Sequence, residues 1–164
     1  MRDILFRGKR KDNGEWIVGT PIIYEDGRTR IIESHTDIFC YVKDSSIIQT
    51  VAHEVDPETV GQWTGLYDNT KWDDLTEEER EDFTIAGNFP SEWKGKKIFE
   101  GDIVEHHVQG DILVNRGVIV WDERNGCWLH QLNTMRPTLY MFNSKAWKII
   151  GTIHDNPELL KGGE

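Results

Sequence analysis

The chain has 164 residues, 37% hydrophobic and 10% aromatic with seven Trp, a composition that excludes a wholly disordered chain and suits one domain or two small subdomains. Nineteen bases against 29 acids give a formal net charge of −10, which favours solubility and tends to repel nucleic acid. No apolar run approaches a membrane span, and Ile4-Leu5-Phe6 is too short for a signal-peptide core, so a cytoplasmic protein with reduced Cys40 and Cys127 is expected.

The charge is uneven. Residues 1–30 hold seven bases and five acids, a net of +2, which leaves −12 for the remainder. Residues 3–20 read as a β-hairpin: Ile4-Leu5-Phe6 leads out, Asn13-Gly14 turns, and Trp16-Ile17-Val18 returns. Asn-Gly between apolar runs is the strongest short-range hairpin signal, because both central residues of a type I′ turn need positive φ. Short strand-like runs follow at Pro21–Tyr24, Arg30–Glu33, Phe39–Val42 and Ile47–Val55, with turn formers between them. That spacing predicts an antiparallel β arrangement. Asp56 to Leu66 is dense in turn residues and reads as an irregular connector.

Residues 67–97 change character. Seven of the ten residues from Asp73 to Asp82 are acidic. Thr76-Glu77-Glu78-Glu79 fits a capping box, in which Thr76 caps a helix and Glu79 reaches back. One short helix is predicted over 75–84, ended by Gly87-Asn88-Phe89-Pro90. Trp72, Phe83, Phe89 and Trp93 supply apolar anchors.

The stretch Lys97-Ile98-Phe99-Glu100-Gly101-Asp102-Ile103-Val104 reads as a tight corner feeding a strand. Gly101 accepts backbone angles that a Cβ resists, and Asp102 holds the turn. Strands are then expected at Asp102–His107, Arg116–Trp121, Cys127–His130 and Trp147–Ile153, with a turn at Asn125-Gly126 and a final helical turn near Leu159. The fold class expected is mainly β: an SH3-like small barrel in residues 98–164, an antiparallel β part in 1–66, and a short acidic helix in an inserted connector, 67–97. Asn13-Gly14-Glu15-Trp16 and Asn125-Gly126-Cys127-Trp128 share an Asn-Gly-x-Trp echo, four positions that chance alone can supply.

Three segments resemble the YopX family of small phage and prophage proteins. They are the opening Arg2-Asp3-Ile4-Leu5-Phe6-Arg7-Gly8, the pair Pro57–Asp68 and Gly95–Val104, and Ile149–Leu160. In the family the Thr-Gly-Leu segment runs almost directly into the Glu-Gly-Asp-Ile corner. Here residues 69–94 intervene, which marks them as an insertion. The resemblance implies a mostly β protein of a phage or prophage in a Gram-positive host. It implies no activity, and fold alone licenses none.

Residue chemistry adds no reaction. His106 and His107 are adjacent on a strand and point to opposite faces, and with His130 and His154 they form no zinc spacing. Cys40 and Cys127 sit in apolar strands as small hydrophobes. No nucleophile elbow, P-loop or dinucleotide motif occurs, so no enzyme, cofactor or metal is expected.

Two function classes remain. One is a protein-binding module for a host or phage protein, with Thr76, Glu77, Glu78, Glu79, Glu81 and Asp82 as an acidic contact for a basic partner. Trp121, Trp128 and Tyr140 are aromatic-groove candidates. The other is nucleic-acid binding through Arg7, Lys9, Arg10 and Lys11 on the first hairpin. Open sheet edges make self-association an additional expectation.

Overall fold

The structure is a computed structural model that describes residues 4–33, 52–108, 112–132, 137–140 and 146–161, with the backbone alone for 107, 108, 112–115, 132 and 137–140. The predicted strand Phe39–Val42, the residues 47–51, Cys40 and the loop Gln109-Gly110-Asp111 lie outside the described residues. The chain divides into two compact units, Met1–Trp63 and Thr64–Glu164.

Period-two alternation builds the first unit. Strands β1 (Phe6–Lys9), β2 (Trp16–Ile23), β3 (Thr29–Glu33) and β4 (Ala52–Val55) pair antiparallel in sequence order. Ile17, Ile31 and Val55 form the buried cluster, with Val60 packed against it, and each full burial contributes roughly 1.5–3 kcal/mol. On its other side β1 pairs with the start of β5 (Gly61–Tyr67), Phe6 opposite Gln62.

Two expectations are corrected here. The stretch Gly61–Leu66 is strand rather than irregular connector; only the single 3-10 turn Pro57–Thr59 precedes it. Its glycines signal turns locally, yet the edge of β1 supplies a ladder that sequence proximity does not reveal. The hairpin turn is also longer than a two-residue type I′ turn. Arg10 and Glu15 close it, and Gly14 donates its N–H to Arg10 O at 3.0 Å. The second hairpin repeats this plan: Asp122 pairs with Cys127, and Gly126 donates to Asp122 O at 2.8 Å. The Asn-Gly-x-Trp echo thus marks two four-residue loops of one design, each placing its Trp at the start of the returning strand.

In the second unit β5 continues beside β6 (Lys97–Phe99). The corner follows: Gly101 has φ +80°, and Phe99 donates its N–H to Asp102 Oδ2 at 2.7 Å. Gly101 N–H also donates to Ile119 O, and Ile153 N–H to Gly101 O, so the corner is pinned from Ile119 and from the residue that follows Thr152. The sheet is built from β7 (Asp102–Val108), β8 (Ile112–Asp122), β9 (Cys127–Leu132), β10 (Pro137–Tyr140) and β11 (Trp147–Thr152). Strands β7 to β10 are a meander, and β11 returns antiparallel to β7. Ile98, Val104, Ile119 and Trp147 are the buried core, with Leu66, Trp128, Ala146 and Ile149 packed on it.

The sheet is mainly β as expected, but it is open. Its order β10-β9-β8-β7-β11 leaves β10 and β11 as edges, so no closed SH3-like barrel forms among the described residues. Closure demands a continuous stagger of hydrogen bonds around the sheet. Strand β10 has four residues, starts with Pro137, which lacks an N–H, and shifts register against β9 before Tyr140.

Candidate interaction site

The segment 69–94 starts and ends at one place. Asp68 is buried, and its carboxylate accepts four hydrogen bonds: from Thr70 N–H (3.0 Å), Thr70 Oγ1 (2.7 Å), Lys96 N–H (2.8 Å) and Ile149 N–H (3.2 Å). Its own N–H donates to Lys96 O at 2.9 Å. Asn69 N–H donates to Trp147 O at 2.8 Å. Gly95 allows the close approach: its φ is +114°, and a Cβ there would stand 2.1 Å from Asp68 O. These contacts make a neck from which residues 69–94 leave and to which they return.

Above the neck the segment folds on itself. Helix α1 (Glu77–Ile85) starts at Thr76. The capping box forms as the sequence spells it, with Glu79 N–H donating to Thr76 Oγ1 (3.2 Å) and Thr76 N–H to Glu79 Oε2 (2.9 Å). Three acids in the first turn suit the positive end of the helix. Trp72, Phe83 and Trp93 meet edge-to-face in a triad with centroids 5.2–6.1 Å apart, the preferred geometry for aromatic rings. Trp93 Nε1 donates to Thr70 O at 2.8 Å, and Arg80 donates to Trp72 O and Asp73 O. Lys96 Nζ reaches Glu79 Oε1 at 2.6 Å. Partial burial pushes the Glu79 carboxyl up, but hydrogen bonds from Lys96 and Thr76 outweigh it and hold its pKa below the usual range.

This packing sorts the faces of α1. Glu79, Arg80 and Phe83 turn inward. At 100° per residue, Glu78, Glu81, Asp82 and Ile85 then fall on the opposite, outward face, and all four are exposed. Glu77, Glu78, Glu81 and Asp82 have no ion-pair partner among the described residues. Ile85 is 82% exposed and Phe89, just past the helix, 69%. Phe89, expected as an apolar anchor, is thus exposed, and only Trp72, Phe83 and Trp93 pack together; a helix-face assignment from Phe83 would have found Ile85.

The basic hairpin is arranged differently. Arg7 lies over the Trp16 ring at 4.7 Å. Arg10 pairs with Asp12 at 2.6 Å, and their hydrogen bond raises the guanidinium pKa while holding Asp12 below its usual range. Lys11 pairs with Glu54 at 3.1 Å, and Lys9 donates its backbone N–H to Thr59 Oγ1. Arg10 and Lys11 thus each stand beside a carboxylate of the same chain.

Trp121 and Trp128 stand opposite each other on β8 and β9, edge-to-face at 4.9 Å. Trp121 is exposed, and Trp128 leans on the core. Tyr140 pairs in register with Leu129, and its side chain lies outside the described residues. His106 and His130 flank Trp147, the first stacked at 4.7 Å and the second edge-on at 4.5 Å. His130 is fully buried, and burial pushes its pKa down to about 4. Gly117 makes room for it, since a Cβ there would stand 2.7 Å from His130 Nε2.

No helix among the described residues is long and apolar enough to cross a membrane. No curated protein matches the chain. The family model described as YopX protein matches residues 91–161, from the end of the arm through Lys96, the corner and the open sheet to the C-terminal turn. The similar segments 2–8 and 57–68 fall outside that span. Over residues 91–161 the chain is similar to the YopX family.

Proposed function

We propose that the protein is a non-enzymatic binding module, and that the arm 69–94 is the surface by which it holds another protein. The observation that carries this reading is the neck. A segment whose ends are held together by a buried carboxylate, and which packs its own aromatic triad, keeps its shape independently of what it touches. It presents unpaired carboxylates together with two exposed apolar side chains, Ile85 and Phe89. In keeping with the family resemblance, the setting we propose is the cytoplasm of a bacterium carrying a phage or prophage, with a host or phage protein as partner.

The test is a chain in which a short Gly-Ser link replaces residues 69–94 across Asp68 and Lys96. Both chains are used to capture partners from lysate of a bacterial host, and the arm is cross-linked through a photoreactive residue placed at Glu81. A partner taken by the full chain, cross-linked at Glu81 and lost with the arm supports the reading. Equal capture by the armless chain sinks it.

A further inference from the structure

Resting on that reading, we infer that the segment the arm receives is basic with an apolar anchor, seated on the outward face of α1 at its C-terminal end. Ile85 projects from the last turn of α1, and Phe89 follows the Gly87 turn. Both are exposed while Trp72, Phe83 and Trp93 take the inward side of the arm. Isolated surface apolar residues are ordinary. Here Ile85 has a defined electrostatic frame. Glu78, Glu81 and Asp82 share the face with Ile85. No basic residue stands in the last turn of α1, so the negative end of the helix is left uncompensated. Lys96 is drawn to Glu79 on the other side, and Arg80 is turned to the backbone of Trp72 and Asp73.

Charge complementarity therefore selects the occupant. An acidic or neutral apolar segment would meet repulsion or leave carboxylates desolvated without partners, at a cost. A Lys- or Arg-rich segment carrying a Leu, Ile or Phe satisfies both. It covers Ile85 and Phe89 and pairs the carboxylates that the fold leaves unpaired. Rim charges of this kind mainly raise association rate and salt sensitivity, and the apolar anchor slows dissociation.

The experiment uses the full chain and three synthetic helical peptides, labelled for fluorescence anisotropy: one of Lys and Leu, one of Lys without apolar residues, and one of Glu and Leu. The Lys/Leu peptide is expected to bind most tightly. Ile85→Ser with Phe89→Ser should weaken it about tenfold and leave the Lys-only peptide unchanged. Glu78→Gln, Glu81→Gln and Asp82→Asn together should weaken both basic peptides and flatten their salt dependence. All these positions are exposed, and circular dichroism checks that the variants fold. Equal binding by the Ser variant, or equal binding of the Glu/Leu peptide, overturns the inference. So does absence of Lys/Leu binding in a chain whose captured partner still depends on the arm, an outcome that leaves the protein-binding reading standing. Arm-independent capture, by contrast, removes the reading itself.

Discussion

Asp68 and Lys96 exchange two hydrogen bonds across 28 positions of sequence, Lys96 N–H to Asp68 Oδ1 at 2.8 Å and Asp68 N–H to Lys96 O at 2.9 Å. The same carboxylate takes Ile149 N–H from β11. One buried acid therefore ties the arm's departure and its return to the edge strand of the sheet. Asp68→Ala leaves buried donors without an acceptor, which costs about 1–3 kcal/mol for each group not rescued by water. We expect a loss of about 3 kcal/mol or more, read from urea unfolding, with Asp68→Asn falling between it and the wild type.

Two glycines separate strain from collision. At Gly101 a Cβ would find ordinary contacts, the nearest at 3.6 Å, so only its φ of +80° resists substitution. At Gly95 the φ of +114° is joined by a backbone oxygen 2.1 Å away. Gly101→Ala is expected to cost about 1–2 kcal/mol, and Gly95→Ala clearly more. Equal melting temperatures for the two variants would contradict this. Gly101→Val, with a β-branched side chain at the same φ, is expected to damage folding.

His130 predicts a pH dependence with a defined window. Its ordinary pKa of 6.5 falls to about 4 in the fold, so the unfolded chain binds a proton that the folded chain refuses between those values. Stability contributed by the neutral imidazole is complete above about 6.5 and is lost as pH falls toward 4. At about 1.4 kcal/mol per pH unit the full effect is about 3 kcal/mol. Urea midpoints of the wild type should fall across that window, and His130→Phe should flatten the slope there. An unchanged slope in the variant would count against a neutral buried His130.

The cap of α1 can be tested apart from the sheet. Thr76→Ala removes the acceptor for Glu79 N–H and is expected to cost the arm about 1 kcal/mol. Hydrogen exchange should quicken in Glu77–Ile85 while amides of β7 and β8 keep their protection. Loss of protection in both would mean that the arm and the sheet unfold as one.

What could be read from sequence follows how far apart the partners are. The capping box was legible because Thr76 and Glu79 are three residues apart and need nothing else. The corner at Gly101 and Asp102 was legible for the same reason. The hairpin turns were found in place but not in length, because Asn-Gly also closes a four-residue loop when its Gly N–H reaches back to the carbonyl four residues before. Strand β5 was hidden by its own turn formers, since the ladders that make it a strand come from β1 and β6. Barrel closure was not legible, because it depends on the register between edge strands and not on local pattern; the sheet of the described residues is open. Asp68 looked like one more acid among 29, because its donors come from positions 70, 96 and 149. The burial of His130 was not legible, because it depends on the missing side chain of Gly117 on the neighbouring strand.

The neck has a consequence for how such a chain can change over generations. A loop whose two ends are clasped at a fixed separation can be lengthened, shortened or exchanged without altering the distance the rest of the chain must bridge. Entropy charges little for extra length once the ends are fixed. Asp68, Gly95 and Lys96 thus form a socket for a replaceable cassette. Relatives that share the socket are expected to carry arms of different length and charge on an unchanged sheet, and to differ in partner while agreeing in fold.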